Sequence, residues 1–156
     1  MAKINGLGDT TLVINKDNKY NLAYLYLEDN TQPIIEPPKD DWDIVFTQYT
    51  HVFTDPYQPY IVAGCLLNRN NTLAAVDKEL PFGEIAFENV YSYSFSDELN
   101  TIGYSWKTFD GDNYTVNYKY NYIIKNSKGY YYKLHFIDFY NSSGVKGNPK
   151  WEYQKL

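Results

Sequence analysis

Clusters of turn-forming residues cut this 156-residue chain into short extended runs, and that punctuation constrains its fold more than any other feature. Tyr20 to Leu27 alternates, with Leu22, Tyr24 and Tyr26 on one face. Alternation of period two marks a half-buried strand. Pro33, Pro37 and Pro38 then break the chain, since proline cannot donate to a central ladder. In the next run, Trp42 to Phe53, Trp42, Ile44 and Phe46 point one way and Asp43, Val45, Thr47, Tyr49 and His51 the other. Asp55-Pro56-Tyr57-Gln58-Pro59 reads as a turn, Tyr60 to Leu67 as an apolar strand, Asn68 to Asn71 as a turn and Thr72 to Val76 as extended.

Ala86 to Phe95 also reads as extended. Ser96-Asp97-Glu98-Leu99 is the best site for a short helical turn, because serine caps helix N-termini well. Gly103 to Phe109 ends in Asp110-Gly111-Asp112-Asn113, a hairpin signal. Tyr114 to Lys125 and Gly129 to Tyr140 form a second hairpin through Asn126-Ser127-Lys128-Gly129, and Ser143 to Gly147 leads into a last strand, Lys150 to Gln154. Many short strands with almost no helix predict an all-β fold of two sheets packed as a sandwich. Trp42, Ile44, Phe46, Leu134 and Phe136 are its expected core. Residues 1–19 read as a loose N-terminal segment with a first strand at Leu12-Val13-Ile14, and residues 20–156 as one β domain.

Composition agrees with this and narrows function. The chain carries 18 Tyr, 8 Phe and 3 Trp, and the tyrosine ring with its polar tip suits half-buried sheet faces and binding surfaces. Net charge is −5 and Arg69 is the one arginine, so the cluster of cations needed to neutralise nucleic-acid phosphates is missing. No stretch approaches the ~20 apolar residues of a membrane span. The N-terminus shows no basic region followed by an apolar run, so no signal peptide is expected in this sequence. Cys65, the single cysteine, sits in the apolar run Ile61 to Leu67 and reads as a buried, inert thiol.

Catalytic constellations are not visible. There is no G-x-S-x-G, no P-loop and no G-x-G-x-x-G. Asp40, Asp41 and Asp43 read as a solvated turn and the start of a strand. Asp110 to Asn113 is followed by no glutamate before Glu152 and reads as a plain hairpin turn rather than a calcium loop. The expectation is a binding protein and not an enzyme. Two histidines, His51 and His135, are the candidate metal or haem-iron ligands, since imidazole suits iron; the competing reading of each is an ordinary sheet histidine.

Four pieces of the chain, in order, resemble the HmuY family. They are Asp41-Trp42-Asp43-Ile44-Val45-Phe46, then Val62-Ala63-Gly64-Cys65-Leu66-Leu67-Asn68, then Ile102-Gly103-Tyr104-Ser105-Trp106-Lys107. The fourth runs from Tyr122-Ile123-Ile124-Lys125 through Gly129 and Tyr131-Tyr132-Lys133-Leu134 to Phe136-Ile137-Asp138-Phe139-Tyr140, followed by Gly144 and Gly147. The resemblance extends from about Tyr20 to Leu156. It implies a mostly β fold of two sheets and a Bacteroidetes lipoprotein on the outer-membrane surface. It also implies a haem-binding role in iron acquisition, beside a TonB-dependent outer-membrane receptor. In the well-known member two histidines clasp the iron, one shortly after the glycine–tryptophan strand and one in the preceding middle segment, and methionines replace them in others. Here Lys107-Thr108-Phe109-Asp110 follows Trp106 without His or Met, and Glu84 to Ser94 has neither, so His51 and His135 do not inherit that role.

The expected ligand is therefore haem or a related porphyrin. The alternative is a HmuY-fold surface protein that lacks the iron ligands and binds another ligand or a protein partner. Haem is a flat apolar ring with two carboxylates, which needs aromatic walls and cationic groups. Tyr104, Trp106 and Phe109 are the candidate walls and Lys107 the candidate propionate partner; simple packing of Tyr104 and Trp106 in the sheet competes with this reading. Haem binding is expected to be weak, or five-coordinate through a tyrosine, and not bis-histidine.

Overall fold

A computed structural model describes residues 11–15 and 17–156. The expected looseness of residues 1–11 falls, but for residue 11, outside them. Eight strands appear in order: β1 (Ile44–Thr54), β2 (Tyr57–Leu67), β3 (Leu73–Asp77), β4 (Lys107–Phe109), β5 (Tyr114–Val116), β6 (Asn121–Lys125), β7 (Tyr131–Tyr140) and β8 (Lys146–Lys155). The fold is all-β. Helix among the described residues is confined to two 3-10 segments, Phe82–Glu84 and Phe87–Ser92, and none is long and apolar enough to cross a membrane.

Strands β3-β6-β7-β8 form an antiparallel four-stranded sheet in that order. The long hairpin β1-β2 pairs in full register, from Ile44 opposite Leu67 to Thr54 opposite Tyr57. Its second edge is extended where Cys65 and Gly103 exchange backbone hydrogen bonds of 2.9 Å. The two layers close on one apolar cluster. Cys65 and Leu67 of β2 meet Tyr122 and Ile124 of β6, Leu134 and Phe136 of β7, Val116 of β5 and Trp106, which directly precedes β4. Alternation places Ile123 of β6 and Ala75 of β3 on the opposite face, where Val90 of the second 3-10 segment and Ile85, between the two segments, cover them.

Leu134 and Phe136 are buried as expected, and Ile44 and Phe46 pack partly buried against the same core. Trp42 is the correction: it precedes β1, is only half-buried and lies outside the core cluster. Four other expectations fail. Leu12-Val13-Ile14 and Tyr20 to Leu27 form no strand, and Tyr26 pairs with Thr31 in a single bridge. Their apolar side chains find no facing layer: Val13 is 71 % and Leu27 78 % exposed. Alternation without a partner strand does not make a sheet.

Ala86 to Phe95 winds into 3-10 turns because Asn89 supplies local bonds. Its Oδ1 accepts from the Ala86 N–H at 2.7 Å and its carbonyl accepts from the Ser92 hydroxyl at 2.7 Å. The Ser96 segment is not helical; Ser96 exchanges backbone bonds with Ala74 instead, adding a bridge to the edge of β3. The turns at Asp110–Asn113 and Asn126–Gly129 form as read. Asp110 Oδ1 accepts the N–H groups of Asp112 and Asn113, and Gly129 takes φ +81°.

Candidate functional site

The outer half of hairpin β1-β2 runs past the core, and between it and the β4-β5 hairpin lies an open groove of about 680 Å³. Strand β2 supplies one wall with Tyr60, Ile61, Val62 and Ala63. Lys107 and Phe109 of β4 and Tyr114 of β5 supply the other. Phe139 of β7 closes the inner end, and Lys146 and Gly147 of β8 border it. Tyr104 and Phe53 complete the aromatic lining. The volume falls within the ~300–1,000 Å³ usual for small-molecule sites.

Three of the four residues singled out from the sequence, Tyr104, Lys107 and Phe109, thus share this groove. Trp106 does not line it. It is 1 % exposed, its ring stacks on Phe136 at 3.8 Å between centroids, and its Nε1 donates to the Gly103 carbonyl at 3.2 Å. Trp106 lies in the turn just before β4, and Lys107 is the first residue of that strand. Trp106 fills the core while Lys107 reaches the groove.

Lys107 is the unusual member. It is only 7 % exposed, and its Nζ donates to the Ala63 carbonyl on the bare edge of β2. The ammonium also sits 4.3 Å from the Trp106 ring centre, 4.8 Å from Phe139 and 5.7 Å from Tyr114, each within cation–π range. Among the described residues no carboxylate pairs with it, and burial pulls its pKa down to about 8. Among the described residues the groove lining holds two lysines, Lys107 and Lys146, and no Asp or Glu, although the chain has 19 acids against 14 Lys and Arg.

The histidines are held apart by their environments. His51 of β1 sits edge-on to Phe53 and to Tyr104, with ring centroids 4.8 and 5.0 Å away. His135 of β7 belongs to the other sheet, stacked at 4.1 Å on Phe82 and bonded through Nε2 to Glu152 Oε1 at 2.7 Å. Neither lines the groove, and no cluster of three or more metal-ligating side chains exists among the described residues. Tyrosines, by contrast, face it from three strands or loops: Tyr60, Tyr104 and Tyr114.

Cys65 is fully buried and desolvation pushes its pKa up to about 12, which fits an inert thiol.

Several contributors to the site, among them Phe53, Tyr60 and Lys146, escaped the sequence reading, and Tyr114 and Phe139 show why. Tyr114 was legible in principle, since a hairpin turn at Asp110–Asn113 forces it opposite Phe109, as observed. Phe139 was not. Strict alternation puts it on the His135 face, but β7 shifts register twice between Phe136 and Tyr140. The irregularity turns Phe139 onto the Phe136 side, where it meets Trp106 edge-on at 5.7 Å.

Comparison with solved structures finds similar chains among HmuY relatives. A crystal structure of an apo HmuY analog from Tannerella forsythia is 13% identical and covers 74% of this chain and 98% of its own, with a TM-score of 0.41. A putative HmuY-like heme-binding protein from Bacteroides vulgatus is 17% identical over 84% of this chain and 82% of its own, TM-score 0.41. Apo PinO from Porphyromonas gingivitis is 14% identical over 86% and 90%, TM-score 0.42. No curated protein matches the chain. The family described as HmuY protein matches residues 63–153, which takes in the end of β2, the β4-β5 hairpin and almost all of the four-stranded sheet. With more than half of its length matched to that family, the chain belongs to the HmuY family.

Proposed function

We propose that this protein is an extracytoplasmic binding protein for haem or a related porphyrin and serves haem uptake, not catalysis. The observation that carries the reading is the groove. Flat aromatic walls from Tyr104, Phe109 and Phe53 stand beside a cation, the pairing that a planar apolar ring with carboxylates requires. Family membership supports the same ligand class. Attachment to the outer-membrane surface as a lipoprotein, beside a TonB-dependent receptor, is proposed from that membership alone.

The donor set decides how iron would be held. Among the described residues no His or Met lines the groove, but the phenols of Tyr60, Tyr104 and Tyr114 do. A phenolate is a hard donor suited to ferric iron and serves as a haem axial ligand elsewhere. Haem would be held through one of these phenols, which as phenolate would supply a hard anionic donor to ferric iron. Bound iron would supply only that coordinate bond; ring stacking and the lysines do the rest.

A second reading keeps the fold and the groove but gives it a different occupant. The absence of imidazole from the described lining favours it. Titration of the purified protein with haemin separates the two: a sharpened, shifted Soret band supports haem binding, and an unchanged free-haemin spectrum leaves the second reading.

A further inference from the structure

A strand at the rim of a sheet leaves every second N–H and C=O without a strand partner, and folded proteins normally cap, shorten or charge such edges. The outward groups of β1 follow from those of β2. Cys65 bonds Gly103 through both its N–H and its carbonyl, on the side of β2 away from β1. Its cross-strand neighbour Phe46 is therefore not hydrogen-bonded to it and turns its own backbone groups outward from the hairpin. The period of two extends this to Ile44, Gln48, Thr50 and Val52. Among the described residues no backbone group pairs with them. The other edges are closed. On β2, Leu67 donates to the Leu99 carbonyl, the Ala63 carbonyl accepts from Lys107, and Pro59 has no N–H to offer. Ser96 bridges β3 at Ala74, β8 carries Lys146, Pro149, Lys150 and Lys155, and β4 and β5 are short. By contrast, β1 presents eleven residues without a lysine, arginine, carboxylate, proline or glycine.

A second opening lies beside this edge. Phe46 stacks on Trp151 of β8, so the rims of the two sheets fall on one side of the molecule. Between them Ile44, Phe46, Leu134, Trp151 and Tyr153 line an apolar cleft of about 500 Å³, with Trp151 38 % and Tyr153 67 % exposed. Directly paired residues share a face, so every second side chain of a strand added to β1 would enter this cleft. We propose that the outer edge of β1 is a strand-addition site for an extended segment of a partner protein, apolar at alternate positions and flanked by Lys or Arg. A row of open backbone groups calls for an extended polypeptide, and the cleft takes its alternate side chains. Charge selects among polypeptides. From Asp40 to Asn68 the chain holds no Lys or Arg, while Asp40, Asp41 and Asp43 precede β1 and Asp55 follows it. A second copy paired antiparallel about a two-fold axis at Tyr49 would set Asp43 of each copy against Asp55 of the other, like charge against like. A basic-flanked segment meets those carboxylates with opposite charge. The site does not depend on what occupies the groove on the far side of β2.

The test is titration of the isotope-labelled full chain with a synthetic nine-residue peptide, alternating valine and threonine between terminal lysines, read at the backbone amides. Expected are saturable shifts at Phe46, Gln48, Thr50 and Val52, with slowed hydrogen exchange of the same N–H groups. N-methylation of the peptide amides on its pairing edge should abolish the shifts, and glutamate in place of the terminal lysines should weaken binding about tenfold. Thr50→Pro removes an outward N–H but no bond of the hairpin, the arrangement Pro59 already shows on β2, and should weaken binding at least as much. No shift with the lysine-ended peptide, or equal binding of its N-methylated form, overturns the proposal and needs no variant to do so. Equal binding of the glutamate-ended peptide overturns the assignment of a basic-flanked partner. A concentration-dependent dimer that Thr50→Pro dissociates would give the edge to a second copy and overturn it as well.

Discussion

Trp106 and Phe136 stack face to face, with ring centroids 3.8 Å apart and planes 9° from parallel. This contact joins the segment leading into β4 to the middle of β7 and so fixes one wall of the groove to the four-stranded sheet. Both residues are 1 % exposed. Truncating either to alanine removes a large aromatic from a closed core, at a cost of about 3–5 kcal/mol. Chemical denaturation of Trp106→Ala and Phe136→Ala should show that loss. A change below about 1 kcal/mol would mean the stack does not bear on stability.

Gly64 and Gly103 should tolerate no side chain. A Cβ on Gly64 would stand 2.5 Å from the Gly103 carbonyl oxygen. One on Gly103 would stand 2.7 Å from the Asn100 carbonyl oxygen, at a φ of +61° that favours glycine. Both obstacles are backbone, so neither can swing aside. Gly64→Ala is expected to separate Gly103 from the β2 edge, destabilise the protein and disturb Tyr104 next in sequence. Unchanged melting of Gly64→Ala would contradict the close pairing.

Lys107 should weaken the fold while serving the groove. Its pKa in the folded chain, about 8, lies below the usual lysine value, so between about pH 8 and the usual value near 10.5 the unfolded chain binds more protons. Stability contributed by this group therefore rises with pH across that window, and below it the buried charge is a standing cost. Lys146 and the phenols of Tyr60, Tyr104 and Tyr114 face the same groove, so the comparison is wild type against Lys107→Met. Lys107→Met should be as stable as the wild type or more so near pH 7, with the difference narrowing toward pH 10. A large loss of stability at pH 7 would show that the ammonium is needed structurally.

Asp77 should govern acid sensitivity. Burial opposes its ionisation, but the Tyr93 hydroxyl at 2.6 Å and the N–H groups of Leu80 and Glu79 outweigh that and hold its pKa below the ordinary value. A carboxyl depressed in the folded state stabilises above its unfolded pKa, and that contribution is lost as pH falls through the folded value. Asp77→Asn should destabilise at pH 7 and flatten the decline of stability between about pH 5 and pH 2. The same decline in variant and wild type would assign acid sensitivity elsewhere.

The strands with dense cross-strand partners were legible: β1, β2 and β7 begin and end within a few residues of the runs that mark them, whereas Tyr114 to Lys125, read as one strand, splits into β5 and β6 in different sheets. The turn at Asp110 was legible because its side chain builds it locally. What the sequence concealed depends on contacts made at a distance. The alternation of Leu22, Tyr24 and Tyr26 carries no information about whether a partner strand exists, and Leu22 is 55 % exposed. In the groove, Lys107 and Phe109 were legible as neighbours of Trp106, whereas Phe139 arrives through an irregularity in β7 that no periodicity reports.

The histidines should be dispensable for any haem complex. His51 and His135 lie on different sheets, one against Phe53 and Tyr104, the other between Phe82 and Glu152. His51→Ala and His135→Ala should each leave a haem spectrum of the five-coordinate ferric tyrosinate type. A low-spin six-coordinate spectrum that vanishes in both variants would establish bis-histidine ligation instead.

The central claim is that ligand binds between β2 and the β4-β5 hairpin, and haemin titration of Lys107→Met/Phe109→Ala against the wild type tests it most directly. Both side chains line that groove, one as its inner cation and the other as a half-exposed wall, 51 % accessible and 4.9 Å from Tyr114. The account predicts a shifted Soret band in the wild type and at least a tenfold weaker midpoint in the folded double variant. An unchanged midpoint in that variant would contradict the account and place the ligand elsewhere on the protein.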